Sequence, residues 1–145
     1  SLANNMRSAS KVYAVDPAMF GAFSPASALD QGQRLATAVF NALRRRTPAV
    51  RVGSVCRLLI KEKSKSHEVD FVAGDALLMR AYSLIQVSVD MASEKTRERE
   101  IAALDASMAQ FDLGESAIVT MDEQTDIPCE HGVVHVMPAW KWLLA

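Results

Sequence analysis

Glu68 and Asp70 stand two residues apart in His67-Glu-Val-Asp-Phe-Val72, and Gln86 and Ser88 stand two apart in Leu84-Ile-Gln-Val-Ser-Val89. In an extended strand, residues i and i+2 share a face, so each pair is presented to one side of its strand. Two such strands side by side set an acidic pair against a polar pair at one sheet edge. Phosphodiester hydrolysis with Mg²⁺ calls for a related layout, with hard anionic oxygens to hold the ion and a cation or base to help form the attacking hydroxide. Asp70 is the candidate metal ligand, Glu68 a second oxygen donor, Gln86 a neutral carbonyl, and Ser88 the fourth member of the catalytic set. A working site would carry a carboxylate and a lysine where Gln86 and Ser88 stand. Ser88 has neither the charge nor the proton affinity of lysine, which leaves Lys61, Lys63 or Lys65 of the neighbouring turn to swing in. The set reads as a degenerate site, and the plain expectation is a hydrogen-bonded polar cluster of Asp70, Gln86 and Ser88 at a strand edge.

Other reactive residues give weaker signals. Cys129, His131 and His135 suggest zinc, but three ligands without the usual spacing read first as turn and surface residues. Arg44, Arg45 and Arg46, with Arg51 and Arg57, are the candidate nucleic-acid contacts; the competing reading is a solvated helix end matched to the helix dipole. His67 reads as a strand-end residue, and the run Glu94–Glu100 as a solvated helix face.

The elements that must position these residues follow from periodicity. Lys11–Val15 reads as a short strand, Asp16-Pro17 as a turn opening a helical turn through Phe20, and 21–27 as a loop. Leu35, Ala38, Val39, Ala42 and Leu43 recur at helical spacing, predicting an amphipathic helix over 30–46 that Thr47-Pro48 stops. Three strands are expected at 55–60, 68–72 and 79–89. A second helix runs from the N-cap Ser93 to about 110, with Gly114 at its exit. A strand at 116–121, a hairpin of 127–129 with 133–137 about His131-Gly132, and a short helix 139–144 carrying Trp140 and Trp142 on opposite sides complete the chain. The fold class is α/β, a mixed sheet flanked by helices in the core order α-β-β-β-α-β, plus a C-terminal hairpin and short helix.

With 145 residues, half of them apolar, the chain suits one domain, 11–145, behind a linker or arm at 1–10. Sixteen basic and seventeen acidic residues leave a net charge of −1, so binding to a polyanion has to be local. No apolar run spans a membrane and no signal-peptide core is present, which predicts a soluble, cytoplasmic protein. Two distant cysteines make a disulfide framework improbable, and a first residue other than Met suggests a fragment of a longer chain. No phosphate-binding glycine loop is present, so this segment has no sequence basis for nucleotide hydrolysis.

Six ordered segments carry a family resemblance: Lys11-Val-Tyr-Ala-Val-Asp-Pro17, the helix from Gly32 to Arg46, Glu68-Val-Asp-Phe-Val72, Ile85-Gln-Val-Ser88, Thr96-Arg-Glu-Arg-Glu100 and Pro138-Ala-Trp-Lys-Trp-Leu143. Together they resemble the C-terminal domain of unknown function that follows the ATPase domain in bacterial and archaeal AAA-type ATPases, a member of the restriction-endonuclease-like superfamily. The resemblance extends over nearly the whole chain. It implies a restriction-endonuclease-like core joined to an upstream ATPase domain, which is then the first partner. DNA, another protein and a second copy of the chain are further candidate partners. Ala36 and Ala42 stand where the family carries acids on its first helix, whereas Gln86 and a small residue at 88 are typical of it. The resemblance by itself implies no biochemical role; the missing catalytic charges at Ala36, Gln86 and Ser88 make the expectation a non-catalytic binding or regulatory domain without a cofactor of its own. The alternatives are a Mg²⁺-dependent DNA nuclease and a structural or oligomerisation module.

Overall fold

The computed structural model describes residues 11–19, 28–46, 55–62, 65–75, 78 and 80–145. The expected arm at 1–10, the loop at 21–27, the Thr47-Pro48 stop, Phe20, Arg51 and Lys63 lie outside the described residues. The elements in chain order are α1 (Ala28–Arg46), β1 (Val55–Glu62), β2 (Lys65–Asp75), β3 (Arg80–Val87), α2 (Glu94–Phe111), β4 (Glu115–Thr120), β5 (Thr125–Pro128), β6 (Val133–Pro138) and α3 (Ala139–Leu144). The six strands form one mixed sheet in the order β1-β2-β3-β4-β6-β5. β1, β2 and β3 form an antiparallel meander, and α2 then carries the chain over to β4, parallel to β3. β6 lies parallel to β4, and β5 closes the far edge as its antiparallel hairpin partner. The expected α/β class, with a mixed sheet flanked by helices, is what the chain adopts.

The sheet separates two apolar layers. Under α2, Leu104 and Met108 pack on Val69, Val72, Leu84, Ile118, Val134 and Val136. On the other face Leu35, Val39, Ala42 and Leu43 of α1 meet Phe71, Ile85, Val119 and Trp142. Each helix therefore buries one stripe at helical spacing. Ser93 caps α2 as expected, its side chain accepting from the N–H of Thr96. The exit differs from expectation: Asp112, not Gly114, adopts the left-handed conformation (φ 54°), and the N–H groups of Asp112 and Leu113 both close on Met108 O. Gly114 instead meets Gly132, where an added Cβ would sit 2.2 Å from Gly114 O.

Lys11–Val15 is not a strand. It runs as an irregular strap along α1, where Gln33 Nε2 donates to Val12 O and Asn41 Nδ2 donates to both Ala14 O and Val15 O. Tyr13 stacks on Phe40 with ring centroids 4.3 Å apart and tilts against Phe71. The alternation that predicts a strand is satisfied by side-chain amides in place of a ladder.

Candidate functional site

Two irregularities in the meander create the site. In the β1–β2 ladder Cys56 faces Val72 and Leu58 faces Val69, so the one residue Arg57 opposes two, Asp70 and Phe71. This β-bulge explains why Val69 and Val72, three apart, lie in the same apolar layer. The β2–β3 ladder then ends at Phe71–Ile85. Continued in register it would pair Asp70 with Gln86, and here side chains replace backbone. Asp70 Oδ2 accepts from the N–H of Val87 at 3.1 Å, and Gln86 Oε1 accepts from the N–H of Asp70 at 3.0 Å. Both amide donors would otherwise be unpaired where the strands part.

The charges around this gap are matched internally. Lys11 Nζ donates to Asp70 Oδ1 at 3.1 Å and to Glu68 Oε1 at 3.3 Å, joining the two acids predicted to share a face. Arg57 approaches the same Glu68 oxygen at 3.2 Å. Across the gap, Gln86 Nε2 donates to the buried carboxylate of Glu100, whose other oxygen is held by Arg99. Burial disfavours the Lys11 ammonium, but hydrogen bonding and charge from Asp70, assisted by Tyr13 and Glu68, outweigh it and raise its proton affinity above the ordinary lysine value. Arg99 is raised likewise, first by its hydrogen bond to Glu100. Asp70 lines two adjoining clefts. One of about 260 Å³ is walled by Lys11, Tyr13 and Arg57, and one of about 420 Å³ by His67, Glu68, Gln86 and Glu100.

The structure thus brings together Glu68, Asp70 and Gln86 of the expected set. Ser88 is not among them: it lies past the end of β3, its N–H donates to Val119 O, and its hydroxyl donates to Asp90 O. The expected Asp70–Gln86–Ser88 cluster is corrected to Asp70–Gln86–Glu100. Glu100 was expected on a solvated face, yet it precedes Leu104 by four residues and falls on the buried stripe of α2. That spacing is the signal by which it could be found. No comparable signal ties Lys11 to the site.

The arginine cluster divides. Arg44 and Arg45 are exposed at the end of α1, whereas Arg46 donates to Trp142 O and Leu143 O and lies 4.5 Å from the Trp142 ring centroid. Arg46 therefore caps the last turn of α3 and docks it on α1, which corrects its assignment as a phosphate contact. Trp142 is buried and Trp140 exposed, as their spacing predicts. Cys129, His131 and His135 do not converge: Cys129 Sγ donates to Ile127 O, His131 pairs with Asp105, and His135 pairs with Asp126. Burial raises the thiols of both Cys56 and Cys129, away from thiolate reactivity.

Mg²⁺ binds in near-octahedral oxygen coordination and relies on carboxylates for its protein anchors. Here one oxygen of Asp70 holds a backbone N–H and the other an ammonium, while Glu100 is bound to Gln86 and Arg99. The residues present do not fit the ion in this arrangement. No family model, no curated protein and no solved structure matches this chain.

Proposed function

We propose that this domain is a non-catalytic binding or regulatory module with a restriction-endonuclease-like core and a degenerate nuclease-like site. In this reading it is attached to an AAA-type ATPase, and its first partner is a protein surface, the parent ATPase included. The observation that carries the reading is Lys11 Nζ lying on both Asp70 and Glu68. The chain supplies its own cation to the acid pair, and the second Asp70 oxygen and the Gln86 carbonyl serve the backbone. Taken together as one composite cleft joined at Asp70, the two adjoining clefts set Glu68, Asp70 and Glu100 against Lys11, Arg57 and Arg99, so their charges balance. A balanced cleft favours a partner of mixed charge over a polyanion, whose binding depends on a net excess of Lys and Arg.

Among the described residues no helix is long and apolar enough to cross a membrane. The nuclease alternative draws on one observation: Glu100 lines the same cleft as Asp70 and Gln86 and adds the carboxylate that the strands lack. That alternative requires Lys11 to leave. Incubation with plasmid and single-stranded DNA in Mg²⁺ or Mn²⁺, alongside Asp70→Ala and Lys11→Ala, separates the two. The proposal expects no cleavage by any of the three proteins, and cleavage lost in Asp70→Ala would overturn it. Gel-shift titration over salt tests the partner class, with no retardation of DNA expected even at low salt.

A further inference from the structure

The turn of the β5–β6 hairpin gathers a different ligand set from the one its histidines and cysteine suggest. Asp105 of α2, Glu130 and His131 bring one potential ligand atom each to within 4.8 Å of one another. His131 Nδ1 lies 3.0 Å from Asp105 Oδ2, and the backbone N–H of His131 donates to Asp105 Oδ1 at 2.9 Å. We propose that Asp105, Glu130 and His131 form a binding site for a divalent first-row metal ion of the Zn²⁺ class.

The bite fits such an ion. Two ligand atoms 3.0 Å apart, each about 2.1 Å from an ion, subtend about 90° at it, and parting them by about 0.4 Å reaches the tetrahedral angle that Zn²⁺ favours. The ion takes the place of the proton shared by Nδ1 and Oδ2, and the neutral ring then carries its proton on Nε2. Oδ1 keeps its bond to the His131 backbone, so metal entry does not dismantle the turn. Glu130 is exposed and reaches the ion by moving its side chain alone. The imidazole selects Zn²⁺, Co²⁺ or Ni²⁺ over Mg²⁺ and Ca²⁺, and three protein ligands leave positions for water.

The corner is held in place before any ion arrives. Gly132 fits against Gly114 only because it has no side chain. Val133 N–H donates to Gly114 O at 3.0 Å, and Cys129 N–H donates to Gly132 O at 2.8 Å. Little rearrangement is therefore needed to bind, and the bound ion would staple α2 to the hairpin.

Calorimetric titration of the metal-stripped protein with Zn²⁺, paired with visible absorption of its Co²⁺ form, tests the site. One ion per chain is expected, insensitive to excess Mg²⁺. Affinity should fall at least about tenfold in His131→Gln and in Glu130→Gln and stay unchanged in His135→Gln, because loss of a direct ligand costs no less than loss of a supporting group. Melting curves should rise with Zn²⁺ for the wild type and for His135→Gln, but not for His131→Gln. Absence of saturable Zn²⁺ binding in the micromolar range overturns the proposal, and so does binding that survives in both His131→Gln and Glu130→Gln.

Discussion

The acid pair at the meander and the corner at the β5–β6 hairpin use the same kinds of residue to opposite effect. At the meander, Asp70 carries Lys11 on one oxygen and the Val87 amide on the other, and Glu68 is shared by Lys11 and Arg57. At the corner, Asp105 is also engaged through both oxygens, but its partners are one histidine, and Glu130 beside them is exposed. The first region answers each carboxylate with a cation of its own chain; the second answers Asp105 with an imidazole, a group that metal ions readily replace protons on. Acidic residues at a suggestive spacing therefore say little about ligand binding until their partners are known.

Changes at the corner should cost the most stability. Gly132→Ala places a Cβ 2.2 Å from Gly114 O, a backbone atom that cannot swing aside. A loss of about 2–3 kcal/mol is expected by urea unfolding, with faster amide exchange at Val133 and little change around Asp70. Equal disturbance at both regions would mean that they are not independent. Next, Glu100→Ala removes the acceptor of a buried Gln86 amide and should cost about 2 kcal/mol in the same assay. A neutral result would mean that water replaces the carboxylate freely.

Asp70→Ala should cost about 1–2 kcal/mol, because the Val87 N–H loses its acceptor; it should also release Lys11, seen as faster exchange of the strap amides. The smallest effect belongs to Lys11→Ala, below about 1 kcal/mol, since the ammonium is partly exposed. Its sign with pH is defined. The folded value lies above the ordinary 10.5, so the contribution is complete at lower pH and disappears as pH rises through that higher value. The wild type and Lys11→Ala should therefore converge as the solution becomes strongly alkaline.

Much of this arrangement is legible in the sequence. The stripe from Leu35 to Leu43 and that from Leu104 to Met108 mark the two long helices. The alternation Glu68-Val-Asp puts both acids on one side, and Lys11 bridges them there. Glu100 was also legible, as an acid four residues ahead of Leu104 on an apolar stripe, although the surrounding charge run conceals it. Three features depend on contacts distant in sequence. The strap reads as a strand because nothing local says that Gln33 and Asn41 will hold its carbonyls. Lys11 reaches the acids only once the strap is docked. Ser88 reads as a member of the set because the strand pattern continues past Val87, where the ladder to β2 has already ended.

The central claim is that the chain itself occupies its acid pair. Titration with Mn²⁺ followed by paramagnetic broadening of amide resonances tests it most directly, since the ion reports only on sites it enters. The amides of Gln86 and Val87 are expected to broaden no more in the wild type than in Asp70→Ala at Mn²⁺ concentrations that saturate an ordinary carboxylate site. Selective broadening of those two amides, abolished by Asp70→Ala, would contradict the account.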